Sequence, residues 1–319
     1  MTDIFLPVVE KGTSDTGTIE FEETDLKPLQ FHEDPSFSSE LITRQEVLDF
    51  RDEGFLLSNT LTAAECQFFI DEGEKLCFDQ IYGVRDDYRS CKRITFRSPE
   101  LAVTLWDRVK THVQDILIEG DPHKFHIHGI PFLLQGRWRP TGLNDIFRLC
   151  RYLPGNHFSP HFDGHYSKSP SERSLKTFML YLNGDFSDGC TNFVHENQKL
   201  YKNKLGRYCA EEKNILHSIK PETGLAIIFN HHRLHEGQAV KDGKKYILRS
   251  DIMYQNVDQK CSPEELQAIL LLQKAETLEP LYYYGKLFSV CQKNAGEGMK
   301  AADLYRRAFK LAPSLEKCT

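Results

Sequence analysis

At the centre of the chain, His161-Phe162-Asp163 pairs an imidazole with a carboxylate two positions apart. Side chains alternate along an extended strand, so both would point to one face. A third ligand from a distant strand would put three protein groups on one side of an octahedral metal ion. The three opposite positions would stay open, which is the donor arrangement of non-haem Fe(II) sites. The pair by itself is a weak signal, because a second one, His32-Glu33-Asp34, lies in a segment with little to pack. Its surroundings decide its meaning.

A late strand should deliver the third ligand. The apolar run GLAIIFN, residues 224–230, leads to His235 in RLHEGQAV, with His217, His231 and His232 as competitors. Asp242-Gly243 is a strong hairpin signal. On the returning strand Lys245, Ile247, Arg249, Asp251 and Met253 share a face. A two-residue loop would set His235 opposite Ser250, whereas a three-residue loop with a bulge would set it opposite Arg249 and align both cations with it. The metal reading requires the second register. Two cations on one face of an apolar strand need an anionic partner. A dicarboxylate would supply it by chelating the metal at one end and meeting Lys245 or Arg249 at the other. A solvated strand edge with Arg249 paired to Asp251 accounts for the same pattern. His123, His126 and His128 form a further cluster with no carboxylate beside it, and read as strand-surface or loop histidines.

The elements that must position these residues are mostly short strands. FRLCRYLPG, FSPHFDG, LKTFMLYLN, CTNFVHE, GLAIIFNH and KYILRSDIMY follow one another with Gly/Asp turns and no intervening helices, a pattern of antiparallel barrels and jelly rolls. Pro160 implies an edge or a bulge in the second of them. Upstream, residues 1–40 are too poor in apolar side chains to pack and are expected to be flexible. From residue 41 the pattern reads helix, short strand, helix, with Thr62 and Glu65 as a capping box. Residues 78–97 read as a polar loop, and residues 99–117 as an amphipathic helix opened by Pro99. The loop and the stretch 135–145 are the expected rims of an entrance. Beyond Val257 the chain turns helical, with Ser262 and Glu265 as a second capping box. Gly285, Ala301, Tyr305, Ala308 and Pro313 resemble part of one tetratricopeptide unit, and a single copy should pack on its neighbours. The expected division is a flexible segment 1–40, a domain 41–257 and a helical appendage 258–319.

Composition bounds the remaining possibilities. The 319 residues carry a net charge of −6, and 40% are hydrophobic. With no dense Lys/Arg run, nucleic acid is not an expected partner. No apolar stretch approaches a membrane span, and the N-terminus shows no secretory leader pattern. Nine scattered cysteines without a C-x-x-C pair read as reduced thiols, which points to the cytoplasm or nucleus.

The order HFD, DGCTNF, LHEG, GKKY resembles the 2-oxoglutarate and Fe(II)-dependent oxygenases of the prolyl 4-hydroxylase-like group. The likeness spans about residues 41–257, with its specific motifs between residues 148 and 254. It implies a double-stranded β-helix (jelly-roll) core, mainly β with flanking helices, here followed by a C-terminal helical hairpin. It also implies that His161, Asp163 and His235 bind Fe(II). The family's cosubstrate cation falls ten residues after the distal His, at Lys245, with Arg249 inward by the same parity. Tyr152, nine residues before His161, matches a Tyr that contacts the cosubstrate. Fe(II), 2-oxoglutarate and O2 would be required, with ascorbate as an auxiliary reductant. The implied reaction is hydroxylation of a protein side chain (a prolyl residue among them) or a small molecule, releasing succinate and CO2. Asp188-Gly189 stands where the family often has Gly-Gly, a change confined to a turn. The competing reading is a non-catalytic jelly roll whose helical tail binds a protein partner.

Overall fold

The computed structural model describes residues 9–10, 26–81, 85–119, 134–169, 171–195, 201–258, 262–272, 274–275 and 293–313. The main elements are β1 (Thr43–Glu46), β2 (Gly54–Ser58), α1 (Ala63–Leu76), β3 (Lys92–Arg97), α2 (Pro99–Val109), β4 (Gly136–Leu143), β5 (Ile146–Tyr152) and β6 (Phe158–Asp163). They continue with β7 (Glu172–Tyr181), β8 (Thr191–Val194), β9 (Ile215–Ile219), β10 (Ala226–Asn230), β11 (His235–Gly237), β12 (Lys245–Asn256) and α3 (Lys293–Leu311).

Two sheets carry the chemistry. The larger has eleven strands, with β1-β2-β10-β7-β12-β5-β3 as its spine. The smaller holds β6-β11-β8-β9, and Val9–Glu10 pairs in parallel on the free side of β6. Met179, Tyr181, Ile227, Phe229 and Ile247 of the large sheet share one apolar cluster with Phe158, Phe193 and Ile219 of the small one. The two sheets therefore pack face to face around a common layer. The opposite face of the large sheet buries Phe178, Leu180, Ile228 and Leu248 against Phe69 of α1 and Leu101 and Leu105 of α2. Alternation along β7 and β10, apolar on both faces, is what a sheet covered on both sides requires. The architecture is mainly β with few helices.

Several expectations need correction. Residues 43–46 are a strand paired with β2, not the start of a helix. Left-handed backbone at Leu48 and Arg51, with φ near 51° at each, prevents a continuous helix, and Val47 and Phe50 reach the core from the turn instead. Residues 26–40, expected to be flexible, are packed: Leu29 and Phe31 are buried, and Phe31 stacks on Phe69. The sparse apolar side chains there suffice because a preformed face receives them. Much of residues 1–25 lies outside the described residues. Lys92–Arg97, read as loop, is a strand of the large sheet that pairs with β5 and buries Ile94 and Phe96. Residues 136–143, read as rim, are likewise strand, with Trp138 buried. The helix opened by Pro99 ends at Val109, and Ile116–Ile118 is a strand.

Both capping boxes form. Thr62 Oγ1 accepts from the Glu65 backbone N–H while Glu65 accepts from the Thr62 N–H, and Ser262 and Glu265 do the same. At the C-terminus, helical residues 263–272 pack Ala268 and Leu272 against Ala308 and Ala312. Gly285 and the histidines at 123, 126 and 128 lie outside the described residues. Among the described residues, no helix is long and apolar enough to cross a membrane.

Candidate metal centre

His161, Asp163 and His235 come together in the layer between the sheets. One ligand atom from each lies within 4.8 Å of the other two, and all three residues are buried. β6 supplies the first two from one face, as the period of a strand dictates. β11 supplies the third, because the cross-strand pair of β11 and β6 is His235 with His161. The imidazole centroids are 4.2 Å apart. His161 Nε2 is 3.6 Å from Asp163 Oδ1, and His235 Nε2 is 3.7 Å from Asp163 Oδ2. Ligand atoms about 2.0–2.2 Å from a metal ion and at right angles to one another sit roughly 3 Å apart, so a small closure accommodates an ion.

Hydrogen bonds set the histidine tautomers. His161 Nδ1 lies 2.7 Å from the Ser159 carbonyl, and His235 Nδ1 lies 2.9 Å from the Arg233 carbonyl. A carbonyl only accepts, so each Nδ1 carries the proton and each Nε2 presents its lone pair to the centre. Burial lowers both imidazoles, His161 to about 3, so they stay neutral. Asp163 is held well below the usual carboxylate range; burial works against its charge, but Arg249 and the two histidines outweigh that. Two neutral imidazoles and one carboxylate, facing one point, fit a divalent non-haem iron.

The competitors for the third ligand are placed elsewhere. His231 is buried between Ser174 and Thr177, His232 packs on Phe162, and His217 stands opposite Phe193 on β9. His32 is exposed, while Glu33 pairs with Arg108 and Asp34 bonds to Thr62.

Neither hairpin register anticipated for His235 occurs. β11 belongs to the small sheet and β12 to the large one, so the chain crosses between sheets at Val240–Gly243 instead of folding back on itself. The inward parity of β12 nevertheless survives, because the sheets face each other. Lys245 is buried opposite Tyr152 on β5, its ammonium 5.4 Å from the Tyr152 ring and donating to the Gly189 carbonyl at 2.7 Å. Burial lowers this lysine to about 8. Arg249, further along the same strand β12, places Nη2 3.1 Å from Asp163 Oδ1 and 3.6 Å from Asp251 Oδ1. Metal ligands, Arg249, Lys245 and Tyr152 thus follow one another into the space between the sheets.

A bulge adds a residue that strand parity hides. His235 pairs with His161 but Gly237 pairs with Phe158, so β6 spends one more residue than β11 over the same interval. The extra residue at Ser159-Pro160 turns Phe158 to the His161 face. Their rings stack at 3.5 Å and 15°, and the Arg89 guanidinium lies 4.2 Å from the Phe158 ring centroid. Residues 85–90, part of the expected rim, therefore lie directly against β6. Arg89 also donates to Cys91 Sγ at 3.2 Å, in a buried group with Cys150 and Tyr152. Thr177, on the large sheet, donates to Asp163 Oδ2 at 2.5 Å. No motif marks Thr177, His231 or Phe158; only the Pro160 bulge signal pointed toward the last.

Residues 147–250 match the family model described as the 2OG-Fe(II) oxygenase superfamily. A mimivirus protein (Acanthamoeba polyphaga mimivirus) named as a prolyl 4-hydroxylase is 30% identical over 118 residues, 31% of this chain. The match spans 41% of that relative's length. The viral collagen prolyl hydroxylase of Paramecium bursaria Chlorella virus-1, solved with 2-oxoglutarate, aligns with a TM-score of 0.37 at 18% identity, covering 64% of this chain and 96% of that one. A Trichoplax adhaerens prolyl hydroxylase in complex with a hypoxia inducible factor peptide fragment aligns with a TM-score of 0.38 at 13% identity, covering 64% and 84%.

Proposed function

From the 2OG-Fe(II) oxygenase superfamily domain that this chain carries over residues 147–250, we propose an Fe(II)- and 2-oxoglutarate-dependent dioxygenase that hydroxylates a protein side chain. A prolyl residue is the first substrate class to test, on the strength of the named relative. The single observation that carries the reading is the convergence of His161, Asp163 and His235 with both Nε2 lone pairs aimed at one point.

Bound iron would supply O2 activation and substrate C–H oxidation coupled to decarboxylation of 2-oxoglutarate to succinate and CO2. The chain's own residues do the rest. His161, Asp163 and His235 would hold the metal through the two Nε2 atoms and a carboxylate oxygen. Lys245 takes the distal carboxylate of 2-oxoglutarate by a charge-assisted hydrogen bond, replacing its contact with the Gly189 carbonyl. Tyr152, across the strand pair, lines the same end. Arg249, beside Asp163, meets the cosubstrate end nearest the metal. The apolar layer around them excludes water, which strengthens each of these contacts.

The same reading assigns a double-stranded β-helix core to about residues 41–257 and an appended helical hairpin to residues 258–319. Nine scattered cysteines without a C-x-x-C pair support a cytoplasmic or nuclear protein. An anaerobic titration of metal-free protein with Fe(II) and 2-oxoglutarate tests the proposal. A visible charge-transfer band in the parent that weakens in Asp163→Ala and Lys245→Ala is expected. Folded protein with no band would sink the oxygenase reading and favour a binding module.

A further inference from the structure

Asp163 is contacted from the opposite sheet by a hydrogen-bonded series whose proton positions follow from its partners. Thr177 Oγ1 lies 2.5 Å from Asp163 Oδ2 and 2.9 Å from His231 Nδ1. The carboxylate only accepts, so the single Thr177 proton goes to it. The second contact then requires that His231 Nδ1 carry a proton and donate to Thr177. A neutral imidazole with its proton on Nδ1 presents Nε2 as an acceptor. Ser174 Oγ, 2.9 Å away, donates to Nε2 while accepting from the Tyr166 backbone N–H at 2.8 Å. All three side-chain donors therefore point the same way, toward Asp163. The backbone closes the arrangement, since the Asp163 N–H donates to the His231 carbonyl at 3.0 Å.

We infer that Ser174, His231 and Thr177 form an oriented hydrogen-bond relay that fixes the rotation of the Asp163 carboxylate, and that metal affinity depends on these positioning residues although none of them touches the metal. The inference rests on the metal-site reading above. With Oδ2 engaged by Thr177, Oδ1 is turned toward His161 Nε2 and Arg249. The relay crosses from the large sheet, which holds Ser174 and Thr177, to the small sheet, which holds Asp163. It thereby ties the ligand strand to a rigid element of the opposite layer. Partners of this kind that orient a ligand typically account for about 10–100-fold in metal affinity. His231 thus supports the Asp163 carboxylate through Thr177.

The test is Co(II) binding to the metal-free full chain, read by absorbance, with no turnover involved. Thr177→Val keeps the shape and removes the hydroxyl; Thr177→Ser keeps the hydroxyl. Binding about tenfold weaker in Thr177→Val, with Thr177→Ser restoring most of the loss and the parent Co(II) spectrum, is the expected result. His231→Phe should weaken binding too, and Thr177→Val/His231→Phe should be no weaker than Thr177→Val alone, because His231 acts through Thr177. Parent-like affinity in Thr177→Val overturns the relay while leaving the metal site intact. No Co(II) binding by the parent overturns the metal reading and the relay with it. If Thr177→Val does not fold, Ser174→Ala decides: weakened binding supports the relay and parent-like binding overturns it.

Discussion

Arg249 Nη2 stands 3.1 Å from Oδ1 of Asp163, so the carboxylate of the metal triad is also one half of a buried ion pair. Without a cation in the centre, this arginine is the nearest full positive charge compensating Asp163. Removing one partner of a buried pair costs about 3–5 kcal/mol, because the other is left uncompensated. Arg249→Met should therefore lower the stability of metal-free protein by about 3 kcal/mol. A divalent ion would restore the compensation. The rise in Tm on adding Mn(II) should be larger in Arg249→Met than in the parent, and an equal rise would refute this account.

Lys245 should make cosubstrate affinity depend on pH. Its ordinary value of 10.5 falls to about 8 because it is buried. Below about 8 it is charged and binds a carboxylate; above it the free protein must take up a proton first. Affinity for 2-oxoglutarate in the Mn(II)-loaded protein, followed by calorimetry, should fall as pH rises through 8. Lys245→Met should lose about 2 kcal/mol of binding, a charge-assisted bond's share, and its residual affinity should be flat across that window.

Phe158 should matter out of proportion to its chemistry. Its ring covers His161 at 3.5 Å, and Phe158→Leu keeps an apolar side chain while removing the flat surface. Weaker Co(II) binding, by about tenfold, with Phe158→Tyr close to the parent, is the expected outcome. Unchanged binding in Phe158→Leu would show that the carbonyl bond at Nδ1 suffices to orient the imidazole.

Arg108 offers a contrast far from the metal. Its guanidinium forms two bonds to Glu65, at 2.8 and 2.7 Å, with both side chains buried, and joins α1 to α2. Arg108→Met should destabilise the fold by about 3 kcal/mol in urea unfolding. Metal affinity of the folded variant should not change.

Strand periodicity determined the pairing of His161 with Asp163 and the shared face of Lys245 and Arg249, because side-chain direction in a strand depends only on parity. The motif order also singled out His235 among four late histidines. Capping boxes at Thr62 and Ser262 were legible for the same reason: their hydrogen bonds close within four residues. The errors lie where distant chain decides. Thr43–Glu46 has a helical pattern yet pairs with β2, and Lys92–Arg97 looks polar yet adds to β5 of the large sheet, since a waiting sheet edge outweighs weak local preference. Leu29 and Phe31 are too few to make a core, but a core already built by α1 accepts them. That His235 and Lys245 reach one site from different sheets, that a bulge brings Phe158 onto His161, and that His231 supports Asp163 in place of binding metal are all facts of sheet assignment and register. Those depend on strands that pair far apart in the chain, as His235 does with His161 and Lys245 with Tyr152, and local sequence carries no record of that choice.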